Sequence, residues 1–523
     1  MAANNLVKGA LLLTLAGFIS KVLSAGYRIP LQNLTGDIGF YVYQQVYPLL
    51  GIAFVLALYG FPSAVSKIAV DLKSEGNVLS FKRFYVPVFF ILLGINTALF
   101  LFIRLNADSL AIWVGDENLV ATYRVAAFLF LLIPFVALLR GVFQGEMQMK
   151  PTAFSQIGEQ LFRVIIIILA AFYVSYHNED IYMIGKAGGL ASIIGMVVAL
   201  FILVFLFIKY KPVKQGTYRI PWNDYIRTIL IFGVVASLNH MILLMIQFAD
   251  AFTLVPSLKD YGLTQLEAMV AKGVYDRGQP LIQLGTVLGS SFALALIPAV
   301  SKRKLYSEST LFYKQIEGAL SFSFYIAAGA TIGLIVIFPE ANMLLFQNNH
   351  GVTALRIVVL SIVLSSIAIT GLSILQGLDY MKRTAGFILA ALFIKWIANQ
   401  MLVPFWGIIG SAIATVISLL ALCVVVLFEL KRKLPGLYIF QKIKWKIFLK
   451  ASSSMVLFLV LTQLITMHVE FYSRTVLFIY ILFIICIGGL IYLVTLLRGR
   501  AFTEDELSML PFAAKLIRLQ RRK

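Results

Sequence analysis

The stretch "QGEMQMKPTAFSQIGEQLFRV", residues 144–164, decides the fold. It opens as a polar turn around Lys150 and runs into an apolar helix that carries Glu159, Gln160 and Arg163. With Lys150 at one membrane surface, Arg163 lies about 11 residues into its helix, roughly 16 Å deep and near mid-bilayer. Snorkelling covers only part of that distance, so the cation is expected to face a watery interior and not lipid. Glu159 and Arg163 stand four apart on one face in the favourable order. That spacing fits a neutralised structural pair, and equally a substrate-facing cation held by its carboxylate.

The stretch has an echo. "RGVFQGEMQMKPTA" (140–153) matches "LSILQGLDYMKRTA" (372–385) at an offset of 232, and at that offset Arg163 meets Lys395. "YVYQQVYPLL" (41–50) likewise precedes "GVYDRGQPLI" (273–282), and "AVSK" at 64–67 returns at 299–302. Several matches near one register point to duplication of a bundle of about six helices running in the same direction. Such repeats commonly bracket a substrate site near the midplane. The expected organisation is a six-helix lobe over 1–215, a second over 216–433, two additional spans over 434–500 and a cytoplasmic amphipathic tail over 501–523.

The composition agrees. The 523 residues are 60% hydrophobic and only 13% charged, with a mean hydropathy of +0.91. Apolar runs long enough to cross about 30 Å of hydrocarbon recur from end to end. The fold class is therefore an all-α polytopic membrane protein of about fourteen spans, from 5–30 and 41–66 to 446–467 and 474–497. Barrel strands would instead alternate apolar and polar residues over short segments. One set of loops holds Lys67, Lys73, Lys82 and Arg83, then Lys209, Lys211, Lys214 and Arg219, then Lys302, Arg303 and Lys304, then Lys382 and Arg383. The alternate loops carry almost no Lys or Arg, apart from the one near 257–277, so both termini are expected in the cytoplasm. The net charge of +20 is mostly this topology signal, and no nucleic-acid partner is expected.

No catalytic, cofactor or metal site is expected. The two cysteines lie in apolar runs, the four histidines lack metal-ligand spacing, and no P-loop or nucleophile elbow occurs. What calls for explanation are ionisable groups inside the spans. Lys21 and Arg28 stand seven apart on the first span, with Lys21 deeper and Arg28 near the outer boundary, where it can snorkel. Arg140, near an inner end, reads as a topology residue. Asn239, His240, Gln247 and Asp250 form a polar series on the seventh span, in which 240, 247 and 250 share a face. Asp276 and Arg277 open the eighth span, free to pair with substrate or each other. Lys395 has no carboxylate three or four residues away and is the freer of the two repeat-related cations. Substrate-binding candidates are thus Lys21, Arg28, Glu159, Gln160, Arg163, Asp250, Arg277 and Lys395. Cations outnumbering acids suit an anionic head group.

"LRGVFQGEMQMKPTAFSQIGEQLFRV", "GVYDRGQPLIQLGTVLGSSFALALIPAVSK" and "LQGLDYMKRTAGFILAALFIKWIANQMLVPFWGIIGSAIATVIS" resemble the SpoVB/MurJ-type lipid-linked oligosaccharide flippases. The opening "NLVKGALLLTLAGFISKVLSAGYRIPLQNLTGDIGFYVYQQVYP" most resembles their YabM-like branch. The resemblance covers roughly residues 5–430. It implies the MOP (MATE-like) superfamily, two six-helix lobes, and alternating access in which a cationic cavity takes up a lipid pyrophosphate. MurJ-type members place an Arg-Asp pair after the first-helix motif. Here "SKVLS" is followed by Tyr27-Arg28, which keeps one cation without the acid.

The expected function is flipping of a polyprenyl-pyrophosphate-linked saccharide, a cell-wall or surface-polymer precursor, across the cytoplasmic membrane. Membrane lipids, and envelope-synthesis enzymes as candidates, are the expected partners. Two rivals stand beside it: a MATE-like antiporter of cationic drugs dependent on Asp250 or Glu159, and a non-transporting scaffold for envelope or spore assembly.

Overall fold

The computed structural model describes residues 2–210, 216, 218–295, 309–438, 441–466, 473–508 and 513–521. The "AVSK" echo at 299–302 and the loop cations Lys211, Lys214, Lys302, Arg303 and Lys304 lie outside these residues. The described regular structure is helical, and the chain forms two compact units, 1–276 and 277–523.

The first unit holds α1 (Ala2–Gly26), α2 (Arg28–Val55), α3 (Phe61–Ser74), α4 (Val86–Leu105), α5 (Ala107–Val114), α6 (Val120–Ala127) and α7 (Leu129–Gly145). It continues with α8 (Lys150–His177), α9 (Met183–Tyr210), α10 (Trp222–Arg227), α11 (Val234–Asn239), α12 (Ile242–Asp260) and α13 (Gln265–Asp276). The helices α10–α13 follow the repeat boundary expected near 215, yet they belong to this unit by packing. π-helical turns at Leu56–Gly60 and Thr228–Gly233 join α2 to α3 and α10 to α11.

The second unit comprises α14 (Gly278–Ala295), α15 (Ser309–Val336), α16 (Phe338–Phe346), α17 (Val352–Val359), α18 (Ser361–Gly377), α19 (Met381–Lys433), α20 (Trp445–Thr466), α21 (Arg474–Arg498), α22 (Glu504–Ser508) and α23 (Ala513–Arg521).

Eleven helical segments among the described residues are long and apolar enough to cross a membrane. Two exceed one crossing, since Leu15–Ser74 and Met381–Lys433 would measure roughly 80–90 Å if straight. The chain turns inside them at Gly36 (φ +67°) and Gly407 (φ +55°), a backbone region that glycine enters without a Cβ penalty. Each of the two covers a pair of expected spans: 5–30 with 41–66, and 383–404 with 407–430.

Local sequence sets the helix ends and faces. Pro151 sits in the first turn of α8, where a missing N–H costs nothing, and Asn178 closes the helix in the left-handed region. A Cβ on Gly195 would lie 2.6 Å from the Glu159 carbonyl oxygen, so only glycine lets α9 approach α8 this closely. On its other face α9 exposes Phe201, Phe205 and Ile208, a surface suited to lipid.

In the tail, Phe502 and Leu507 are buried with Phe322, Tyr325, Phe448 and Tyr492, in the core that joins α15, α20 and α21. The capping box is formed: Thr503 N–H donates to Glu506 Oε2 (2.8 Å) and Glu506 N–H to Thr503 Oγ1 (3.3 Å). Gln520 donates to the Phe502 carbonyl (2.7 Å), and Arg521 pairs with Glu504. Bonds from Arg521 hold the Glu504 carboxyl below the usual carboxylate range.

Candidate functional site

The buried arginines of the first unit, Arg28, Arg140 and Arg163, lie on α2, α7 and α8. Glu159 is fully buried and bridges two arginines: its Oε1 accepts from Arg163 Nη2 (3.0 Å) and its Oε2 from Arg140 Nη2 (2.9 Å). Arg140 also donates through Nε to Ser155 Oγ (3.1 Å) and through Nη1 to the Ala57 carbonyl (3.3 Å). The reading of Arg140 as a topology residue is therefore corrected, because it has no exposed surface and sits inside the bundle. Two cations share one carboxylate, so the cluster carries a surplus positive charge. Arg163 takes a longer contact with Gln160 Oε1 (3.4 Å) and lies over the Phe54 ring (5.1 Å), while its Nε has no acceptor among the described residues.

Arg28 corrects a second expectation. It does not snorkel at the outer boundary but is completely buried, with its guanidinium 3.9 Å from the centre of the Tyr47 ring. None of its three side-chain nitrogens has a hydrogen-bond acceptor among the described residues. Tyr27 and Tyr43 bond to each other through their hydroxyls and meet edge to face beside it. The charges of both Arg28 and Arg163 act on Tyr27 and Tyr47, which places the two cations around one group of phenols. Their spacing was visible in the sequence: Tyr43 and Tyr47 are one helical turn apart, and Tyr27 adjoins Arg28.

Lys21 is exposed, and its charge acts on His240. His240 lies in the break between α11 and α12, where its ring stacks on Tyr59 with centroids 4.2 Å apart. The expected face shared by 240, 247 and 250 is thus interrupted: Asp250 is buried on α12, whereas His240 precedes that helix. Asp276 pairs with Lys272 across 2.5 Å, both buried, and the charge of Arg28 reaches Asp276. An acid thus faces Arg28 from α13, where the first-helix motif itself supplies none. The i,i+4 spacing of Lys272 and Asp276 was the signal for this pair.

In the second unit, Lys395 proves far from free. It is fully buried, and its ammonium donates to Asn399 Oδ1 (2.9 Å), the Ser411 carbonyl (2.8 Å) and Ser411 Oγ (3.0 Å). These bonds clamp the two arms of α19 across Gly407. Arg277 is also buried, donating to Asn348 Oδ1 (2.7 Å) and lying over Phe346 (5.3 Å).

Such an arrangement can hold an anion. Arg28 offers three nitrogens without a well-formed hydrogen bond and Arg163 one, while Glu159 and Asp276 are already bound to cations. Among the described residues no group of three or more His, Cys, Asp or Glu could hold a metal ion.

Comparison with known proteins gives the family and the fold. The family model described as polysaccharide biosynthesis protein matches residues 6–304. The membrane protein YabM of Bacillus subtilis (strain 168) is 37% identical over 520 residues, covering 99% of this chain and 97% of YabM. The lipid II flippase MurJ of the same organism is 22% identical, covering 80% of this chain and 81% of MurJ. A solved structure of lipid II flippase MurJ in an inward closed conformation superposes with a TM-score of 0.67 at 14% identity, covering 94% and 99% of the two chains, a likeness of fold.

Proposed function

This chain belongs to the polysaccharide biosynthesis protein family of the MOP superfamily, and from that premise we propose that it flips a polyprenyl-pyrophosphate-linked saccharide from the inner to the outer leaflet. It is a multi-pass membrane protein of the lipid-linked saccharide flippase class or a related transporter, and not an enzyme. The observation that carries the reading is the buried cation surplus. Burying a charge costs several kcal/mol unless it is paired, and around Arg28 the described residues offer the Tyr47 ring and the Tyr27 and Tyr47 hydroxyls but no well-formed hydrogen bond. A diphosphate would supply acceptors to Arg28 and to Arg163 Nε.

In this reading Arg28 and Arg163 hold the head group, Lys21 attracts it from its exposed position, and Glu159 with Gln160 orients Arg163. Asp250 acts through the Asp276–Lys272 side of the site, to which its charge is coupled. Arg277 and Lys395 set the geometry of the second unit. The lobes at 1–215 and 216–433 mark the duplicated bundles, and both termini are cytoplasmic. Bends at glycine and proline permit alternating access, driven by membrane potential or an ion gradient.

The test is depletion of the protein followed by mass spectrometry of polyprenyl-linked intermediates. Accumulation of one such intermediate, restored to normal by the wild type but not by R28Q/R163Q, is expected. No accumulation, or full rescue by that inserted double variant, overturns the reading.

A further inference from the structure

The π-helical turn at Leu56–Gly60 leaves one carbonyl without a main-chain donor, and Arg140 supplies it. In a regular α-helix the Phe61 N–H would bond to the Ala57 carbonyl, but here it reaches back to Leu56. The next main-chain candidate, five residues on, is Pro62, which has no N–H. Arg140 Nη1 donates to that Ala57 carbonyl at 3.3 Å. It can reach because α7 packs closely on the start of α3, just past the turn: a Cβ on Gly141 would lie 2.8 Å from the Pro62 carbonyl oxygen.

The opposite side of the turn bears on a second irregular segment. A Cβ on Gly60 would lie 2.7 Å from the Gly233 carbonyl and closer still to Ser237 Oγ, and Tyr59 stacks on His240. Leu56–Gly60 is therefore wedged between the arginine cluster and the stretch from Thr228 to His240. Turns of this kind often mark functional sites and are recognised causes of helix bending.

We propose that Arg140 is a positioning residue that couples anion occupancy at Arg163 to the bend between α2 and α3. The inference rests on the reading of Arg163 as a head-group ligand. Glu159 divides its two oxygens between Arg163 and Arg140. An anion at Arg163 competes for that guanidinium and repels the carboxylate, which then turns its charge wholly toward Arg140. Arg140 is drawn from the Ala57 carbonyl, the one bond that completes the π turn. The bend between α2 and α3 relaxes, and the contact with Gly233, Ser237 and His240 shifts with it.

The test uses the full chain in nanodiscs, in a C423A/C486A background, with spin labels at Val70 on α3 and Phe205 on α9 and undecaprenyl pyrophosphate as the probe. In the parent protein the probe shifts the Val70–Phe205 distance distribution. R140Q is expected to bind the probe more weakly than the parent, because Glu159 then pairs wholly with Arg163, and to show no shift even at saturating probe, whereas R163Q loses both. P62A restores an N–H five residues after Ala57 and so replaces the Arg140 bond without removing a charge. It is expected to bind normally with a diminished shift, and it decides the matter if R140Q fails to fold. A full shift in R140Q or P62A overturns the coupling and leaves the transport reading standing. Loss of binding in R140Q equal to that in R163Q makes Arg140 a ligand and overturns it too. Failure of the parent protein to bind the probe removes the head-group reading and this inference together.

Discussion

Glu159→Gln and Arg163→Gln remove the two ends of one ion pair, and they should have very different consequences. Glu159 is fully buried and accepts from Arg140 at 2.9 Å and from Arg163 at 3.0 Å. At an effective dielectric constant of 20, each contact is a gross attraction of roughly 5–6 kcal/mol. E159Q cancels both and leaves two guanidiniums around a neutral amide, so the net buried charge rises from one to two. Breaking a buried pair typically costs about 3–5 kcal/mol, which is roughly two to four powers of ten in the unfolding equilibrium. R163Q instead leaves the Arg140–Glu159 pair, whose net charge is zero. It loses one charge-assisted bond of about 1.5–3 kcal/mol but also relieves the buried surplus, so a net loss under about 1.5 kcal/mol is expected. SDS unfolding in mixed micelles, followed by intrinsic fluorescence, measures both. R163Q should be near wild type in stability yet inactive in clearing the accumulated lipid-linked intermediate. If R163Q destabilises as much as E159Q, the surplus cation is part of the scaffold and the ligand argument fails.

Arg28→Met should leave stability unchanged or raised while abolishing transport: the cation–π contact with Tyr47 is worth about 2 kcal/mol and is offset by the cost of a buried guanidinium without acceptors. The same unfolding assay checks it, and a large loss of stability would show a structural role. Lys395→Met should cost about 1–3 kcal/mol by stripping Asn399 and Ser411 of their donor, with transport falling only as far as folded protein falls. Loss of transport at full folded yield would return Lys395 to the list of ligands. The tail docking should depend on acid. Glu504 has a depressed pKa in the folded protein, so its contribution is present above its unfolded value and is lost as pH falls through the folded value. The mobility of a spin label at Lys515 should rise on acidification, and less so in E504Q; equal behaviour of the two would rule out the Glu504–Arg521 link.

The sequence carried depth but not azimuth. Counting from the Lys150 turn put Arg163 away from a helix end and on one face with Glu159, and the two are buried side by side because α8 is one unbroken helix. The same counting put Arg140 near a surface. It could not show that Gly141 draws α7 against α3 and sinks the neighbouring arginine into the bundle. Arg28 was misjudged for a related reason: what encloses it are phenols from α2, which follows a helix break at Tyr27. Lys395 looked unpaired because its acceptor Ser411 lies sixteen residues on, across the turn at Gly407, where no i,i+4 rule applies. The polar series from His240 to Asp250 failed on continuity, since periodicity assumes a helix that here is interrupted by a π turn and a break. Hydropathy gives the membrane class, but the partners of buried charges depend on tertiary approach.

That distinction bears on what the site can carry. A cationic drug needs a carboxylate with room for it, yet Glu159 is shared by two arginines and Asp276 is bound to Lys272. Asp116 is bonded by Tyr41 and Tyr182, and Asp37 accepts from Gln32. A cation entering the first unit would have to displace an existing donor from any of these and would meet Arg28 and Arg163 on the way. An anion displaces nothing at Arg28, whose three nitrogens lack acceptors, and competes with only one of the two oxygens of Glu159 at Arg163. At Arg28 and Arg163 the unmet hydrogen-bonding capacity belongs to donors, which favours an anion there.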